Sequence, residues 1–475
     1  PTPHGIVVRV MSGRAKKIEG NPDFPGTHGK HLAQCEAALQ ELYHPDRITT
    51  PLKRVTGSAR GSGEFEPISW DQALDLLASK ISEQNDPGSV LLATNPMDSR
   101  LGYVTQLFAQ GSGVKHVSYE PLDETATLRR AVSAVFGEER IPDFDIDNAK
   151  FVLSFGSDFL STWISPLRYA RGFGEFRQGE KAQQHGRGTL VQVDSRFSMT
   201  AANADEWIPV KPGGEGILAM SMIYTIIKDG LGDADIADKL TQGSGYEGLN
   251  DFRPDSSDVF NATGVSSERI THIAHEFADP HNRPSIAIGG GSAGAHTSGL
   301  FNLSAIYSLN LLVGNIGKPG GLFFKPLSPI DDLNKLGVVE AGIPTPFLGW
   351  KEMDRPEMVM LRGVNPVHSL PAGSNFVNSL QAADFVVSFS SFMDETTSMA
   401  NLIMPENTYL EDWGDDTPDP GPRYQLVGLQ QPIVRPFYSG TGSFADELLA
   451  IGTELELGSA QRLGLDGGST PKFED

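Results

Sequence analysis

The chain reads as an α/β protein with doubly wound, mostly parallel sheets and helices on both faces. Three observations predict this: short apolar runs are continuous rather than alternating, helical patterns separate them, and the composition is that of a folded globule. Of 475 residues, 39% are apolar, 52 are glycine and only 21% are charged, which excludes disordered, coiled-coil and collagen-like classes. Residues 1–51 lack the alternation and read as a small β-rich N-terminal domain. Buried strands are expected at 89–95, 116–120, 150–155, 189–194, 285–288, 358–362 and 384–389. Ser69-Trp70-Asp71-Gln72 is a capping box, and Ala73, Leu74, Leu77, Ala78 and Ile81 follow as an apolar stripe at helical period. Asp123 is positioned to cap a helix that Gly137 ends, and 213–229 is another apolar helix. Residues 412–436 are rich in Pro, Gly and Asp and read as an extended surface crossing, while 458–475 is a polar, loose end. The expected division is 1–51, then 52–145 together with 350–440, then 146–349, with 441–475 as a tail.

Charge narrows the partners. Lysine and arginine number 38 against 60 acidic residues, for a net charge of −22. Nucleic acid is excluded as a ligand, because backbone binding relies on clustered cations; a basic protein partner suits such a surface. The single cysteine, Cys35, forms no intrachain disulfide. No run is apolar enough for a direct membrane span; 284–317 is uncharged but full of Gly, Ser and Asn.

Two stretches point to chemistry. Gly289-Gly290-Gly291-Ser292-Ala293-Gly294 places G-x-G-x-x-G between a strand and a helix, where glycines let a phosphate approach a helix N-terminus. A nicotinamide site also needs an acid about 20 residues on, and 307–317 contains none. A tight packing turn accounts for the glycines equally well. The second stretch is Asp194-Ser195-Arg196 leaving a strand, followed by 204–216 with Glu215. A carboxylate at a strand's C-terminal end can accept hydrogen bonds from a purine or pterin edge, or simply cap a helix.

The order of segments is more specific than any one of them. Asn21-Pro22, Gly29-Lys30, Leu42 to Arg47, Phe155-Gly156-Ser157-Asp158, Val193 to Arg196, Lys211 to Glu215, Gly314 to Gly321, Gly363-Val364-Asn365-Pro366 and Asn401 to Pro405 occur in sequence. This set resembles the molybdopterin oxidoreductase family of the dimethyl-sulfoxide-reductase type across nearly the whole chain. Within it, 155–163, Trp413-Gly414-Asp415-Asp416 and Gln430-Gln431-Pro432 are similar to the molybdopterin-like portion of alternative complex III. The resemblance implies a pocket at Gly156, Asp158, Asp194, Arg196, Glu215, Gly289, Gly290, Gly291, Gly363 and Asn365.

It also implies parts that are altered. Active members bind a [4Fe–4S] cluster through four thiolates; His4 and Leu32 stand at cysteine positions, with Cys35 displaced. His28, His31 and Cys35 lie nearby, a spacing that permits zinc without indicating it. The metal-ligand position offers Asp123 or Glu124 but no thiol, Glu215 replaces an aspartate, and the family's C-terminal β-barrel is not recognisable. The expectation is therefore no cofactor in this chain, molybdopterin guanine dinucleotide included, and no catalytic residue. The chain would be a structural subunit of a membrane-bound respiratory quinol-oxidising complex at the periplasmic face. Iron–sulfur and haem groups would sit on an iron–sulfur subunit and a multihaem cytochrome c, beside integral membrane quinol-binding subunits. The alternatives are an active molybdenum enzyme for a small oxoanion or sulfur compound, a degenerate large subunit of an NADH dehydrogenase, and a nicotinamide dehydrogenase using Gly289–Gly294.

Overall fold

The computed structural model describes residues 4–455, apart from 85, 98, 120, 122–124, 331–355 and 419. Val90–Thr94, Phe151–Phe155, Ser285–Gly289 and Phe385–Phe389 are buried at every position, so both faces of their sheets must be covered. The large sheet runs in the order Phe65–Pro67, Leu52–Arg54, Leu402–Met404, Phe385–Phe389, Met358–Arg362, Val90–Thr94, Lys115–Ser118. Its last five strands are parallel; the first two pair antiparallel at the edge. The small sheet is parallel throughout, in the order Glu206–Pro209, Thr189–Asp194, Phe151–Phe155, Ser285–Gly289.

Each sheet contains one reversal of strand order. In the small sheet the chain winds outward from Phe151–Phe155 to Glu206–Pro209, then returns to add Ser285–Gly289 on the other side. In the large sheet Val90–Thr94 is followed outward by Lys115–Ser118, and Met358–Arg362 later joins its opposite flank. Open α/β sheets bind ligands at such reversals, beyond the C-terminal ends of the strands.

The helices begin where local chemistry dictates. Ser69 Oγ accepts from the Gln72 amide at 3.2 Å and the Ser69 amide donates to Gln72 Oε1 at 3.0 Å, closing the capping box of Trp70–Ser82. Thr125–Phe136 ends at Gly137, whose φ of +70° needs a residue without Cβ. The expected Asp123 cap lies outside the described residues, as does Glu124. Glu215–Lys228 buries Leu218, Ala219, Met222 and Ile226 in the core of the small-sheet domain, packed on the helices Gly299–Leu312 and Ser267–Ala278; truncating such a leucine to alanine costs about 2–5 kcal/mol.

Three regions differ from the sequence expectation. The N-terminal piece adds a helix, Ala33–Leu42, to its hairpin of Ile6–Met11 and Arg14–Gly20. Residues 412–436 are not simply extended: Gly414–Asp416 pairs antiparallel with Gly428–Gln430, and Arg423 is bonded to Asp143, Asp145 and Asp147. The expected tail carries the helix Phe444–Glu454, which buries Phe444, Leu448 and Ile451 in the core of the large sheet. A strand-period run is easy to see in sequence; a short helix whose apolar face is defined only by its docking partner is not. No described helix is long and apolar enough to cross a membrane.

Candidate functional site

The residues that the sequence grouped into one pocket lie at the C-terminal ends of two sheets. At the small sheet, Gly156 has φ +67° at the end of Phe151–Phe155, and a Cβ there would lie 2.6 Å from the Ala293 amide nitrogen. Gly291 has φ +56° and its missing Cβ makes room for the Gly156 carbonyl; Gly290 makes room for the Trp163 ring. The Ser292 amide donates to the Gly156 carbonyl at 3.3 Å and the Gly290 amide to the Phe155 carbonyl at 3.2 Å. Two strand-end turns thus interlock at the reversal, and close packing is one role these glycines fill. Gly289 packs under Ile306 and Leu303. The nicotinamide pattern is not completed, for a short turn at Gly291–Ala293 separates it from the helix Gly299–Leu312.

The acids flank this turn. Asp194 ends its strand fully buried; Oδ1 accepts from the Arg196 amide at 3.3 Å and Ser292 Oγ at 3.4 Å, and Oδ2 from Gln192 Nε2 at 3.4 Å. Asp158 accepts from the Thr200 amide and hydroxyl at 3.0 and 2.8 Å and pairs with Arg196 Nη2 at 3.1 Å. That pair leaves Arg196 two-thirds exposed, with a cation held over the crevice rim.

Glu215 is the exception. It lies in the first turn of its helix with 0% exposure, and neither carboxylate oxygen has a hydrogen-bond partner among the described residues. Burial pushes its pKa up, while the nearby amides of Glu215 and Gly213 and the His296 ring pull it back down. A buried carboxylate without partners is costly. In this place it suits a ligand that donates N–H groups.

At the large sheet, Gly363 has φ +65° just past Met358–Arg362, where a Cβ would lie 2.5 Å from Asn95 Oδ1. Asn365 Oδ1 accepts from Thr396 Oγ1 at 2.6 Å, and its Nδ2 donates to Glu395 at 2.7 Å. Sequence reasoning missed the groups beside them. Arg362 forms a forked pair with Glu406 at 3.0–3.1 Å and reaches Asn95 Oδ1 at 3.2 Å. His116, its Nε2 at 3.0 Å from Thr94 Oγ1, is held neutral by burial, its pKa lowered to about 4. A lone His within a strand, or a lone Glu just past one, carries no pattern, so only spatial assembly reveals these. Gln192 and Ser292 had a signal, polar residues inside the two motifs.

In the N-terminal domain, Cys35 Sγ lies 4.0 Å from His4 Nδ1, Leu32 directly precedes the helix Ala33–Leu42, and His31 is bonded to Glu36 at 2.8 Å. Among the described residues no three His, Cys, Asp or Glu side chains are grouped to hold a metal ion.

A family model described as molybdopterin oxidoreductase matches residues 47–438. The chain is 27% identical to the menaquinone reductase, molybdopterin-binding-like subunit of Nitratidesulfovibrio vulgaris, over 96% of this chain and 64% of that one. It is 25% identical to the thiosulfate reductase molybdopterin-containing subunit PhsA of Salmonella typhimurium, over 91% and 60%. The arsenate respiratory reductase molybdopterin-containing subunit ArrA of Shewanella sp. is also 25% identical, over 90% and 56%. The chain therefore spans 56–64% of the length of these curated relatives. Acetylene hydratase from Pelobacter acetylenicus shares the fold, with a TM-score of 0.78 over 97% of this chain and 68% of that one at 18% identity.

These findings correct the expectation that this chain holds no cofactor and that molybdopterin is excluded. The family and the relatives are molybdopterin proteins by description. Of the departures, His4 and Leu32 bear on iron ligation in the N-terminal domain and Asp123 and Glu124 lie outside the described residues; only Glu215 stands in the crevice. The crevice of the small sheet keeps Asp194, its glycine turns and a buried acid that awaits a donor. Glu215 is one methylene longer than the aspartate it replaces, but the same kind of acceptor. By the span of the family model, by the doubly wound sheets and by these retained acids, the chain belongs to the molybdopterin oxidoreductase family.

Proposed function

We propose that this chain is the molybdopterin-binding subunit of a membrane-bound, quinone-linked oxidoreductase of the alternative complex III kind. The observation that carries the reading is Glu215, a fully buried carboxylate with no hydrogen bond among the described residues, beside Asp194 at a strand-order reversal. Asp194 and Glu215 would accept N–H bonds from the bicyclic base or pterin edge of a dinucleotide. Arg196, held by Asp158, would balance phosphate charge, and the turns at Gly156 and Gly289–Gly291 would keep the backbone close to it. Gly363 and Asn365 would play the corresponding part at the large sheet. When bound, a molybdenum–pterin group supplies two-electron redox chemistry; the protein supplies placement and electrostatics.

The similarity to the menaquinone reductase subunit over 96% of the chain supports a quinone-linked complex. Because no described helix spans a bilayer, quinone bound in lipid would be handled by integral membrane partners. The net charge of −22 suits a basic electron carrier, such as a multihaem cytochrome c, alongside an iron–sulfur subunit. The periplasmic face is the location this reading gives.

The test is the purified complex. Pterin released on denaturation and stoichiometric with the chain, together with co-purifying membrane and haem subunits, is the expected result. A chain that carries no pterin in any preparation overturns it. A second reading, reduction of a small oxoanion or sulfur compound, is favoured by the thiosulfate and arsenate reductase relatives. Turnover of thiosulfate or arsenate with a reduced dye, proportional to bound molybdenum, would select it.

A further inference from the structure

The helix Phe444–Glu454 docks at the C-terminal end of the large sheet, where Gly442 forms a bridge with Glu406 and the Gly442 amide bonds the Pro405 carbonyl at 3.0 Å. Its first turn brings in Glu447, only 4% exposed, and neither carboxylate oxygen finds a hydrogen-bond partner among the described residues. Oε1 abuts Gly442, so closely that a Cβ on that glycine would lie 2.8 Å away, and the Trp70 ring covers the same spot from Trp70–Ser82.

The charges that face Glu447 are Glu406 and Arg362 from the strand ends, Asp446 from its own helix and Asp412 from the adjoining loop. Of the helices packed on its own, Trp70–Ser82 contributes Asp75, which meets Glu454 at the far end, and Arg100–Ser112 contributes Arg100, engaged by Asp415. Arg362 is spent on the forked pair with Glu406. One guanidinium thus stands among four carboxylates, one of which is cut off from water. A buried ionised carboxylate next to other carboxylates, with no donor of its own, is unstable; it keeps a proton instead.

We propose that Glu447 is a proton-holding site at the C-terminal ends of the large sheet's strands, keeping one proton in the folded chain at neutral pH. Burial and the neighbouring acids push the Glu447 pKa well up, in keeping with the geometry. Glu406 is partly exposed and its partner Arg362 directly precedes Gly363. The site itself stands on the geometry of the chain; only its use by redox chemistry rests on the molybdopterin reading.

Infrared difference spectroscopy of the full chain tests it without any cofactor. Wild type minus Glu447→Gln at neutral pH should show the carbonyl stretch of one protonated carboxyl, lost in the variant. Glu406→Gln removes a negative neighbour, so the same band should titrate away at lower pH than in wild type. No protonated-carboxyl difference at neutral pH, or a band whose titration ignores Glu406→Gln, overturns the proposal. The second variant keeps the test decisive if the first does not fold. Pterin content is read separately, so failure of the cofactor reading leaves this result unaffected.

Discussion

Two glutamates occupy matching places in two halves of the molecule. Glu215 and Glu447 both lie in the first turn of a helix, beyond the C-terminal end of a parallel sheet, buried and without hydrogen bonds among the described residues. Their neighbours differ. Burial disfavours the carboxylate of Glu215, Asp194 adds to that, and two amides and His296 pull the other way. Around Glu447, three further acids face it and its one cation is already engaged. Burial alone therefore does not decide what an orphan acid does. Neighbours that offset burial leave an acceptor for a ligand, whereas neighbours that add to it leave a stored proton.

The comparison can be broken in four ways, in falling order of effect. Glu215→Ala should cost about a hundredfold or more in pterin retention, because acceptors of buried charge-assisted bonds contribute roughly 1.5–3 kcal/mol each; circular dichroism should be unchanged. Equal pterin content in variant and wild type would remove Glu215 from the site. Next, Gly156→Ala should destabilise the protein by about 1–3 kcal/mol in urea titration, since it adds a Cβ at φ +67° facing the Ala293 amide.

The third concerns pH. The Glu447 pKa is raised in the folded state, so its contribution to stability is fully present below the unfolded carboxylate value. It is lost progressively as pH rises from the unfolded value to the raised folded one, at about 1.4 kcal/mol per pH unit. As pH rises above the unfolded carboxylate value, wild type should lose thermal stability more steeply than Glu447→Gln; parallel profiles would count against the contrast. The smallest effect belongs to Arg196→Ala. Its exposed pair with Asp158 contributes under about 1 kcal/mol, and Asp158 keeps both bonds to Thr200. A melting temperature within a degree or two of wild type is expected, with any loss confined to ligand binding.

Much of the fold was legible because continuous apolar strands and capped helices are written locally. The run at 189–194 and the box at Ser69–Gln72 appear as read. The short pairings of Gly414–Asp416, Leu52–Arg54 and Glu206–Pro209 were not, because a three- or four-residue strand is defined by its partner rather than by periodicity. In the sequence, motifs marked Asp194, Glu215 and the glycines, and the fold gathers them around the small-sheet reversal. The inference of an empty chain failed because altered ligand positions, at His4, Leu32, 123–124 and Glu215, were taken to speak for the whole crevice.

By itself the sequence determined the class of architecture, the family and the acids available at the strand ends, since these depend on residue type and order along the chain. Tertiary structure alone decided which acids lost their partners and which cations were already committed. Hydrogen bonds and fields depend on distance through space, and residues 362, 406, 412 and 447 meet only after folding.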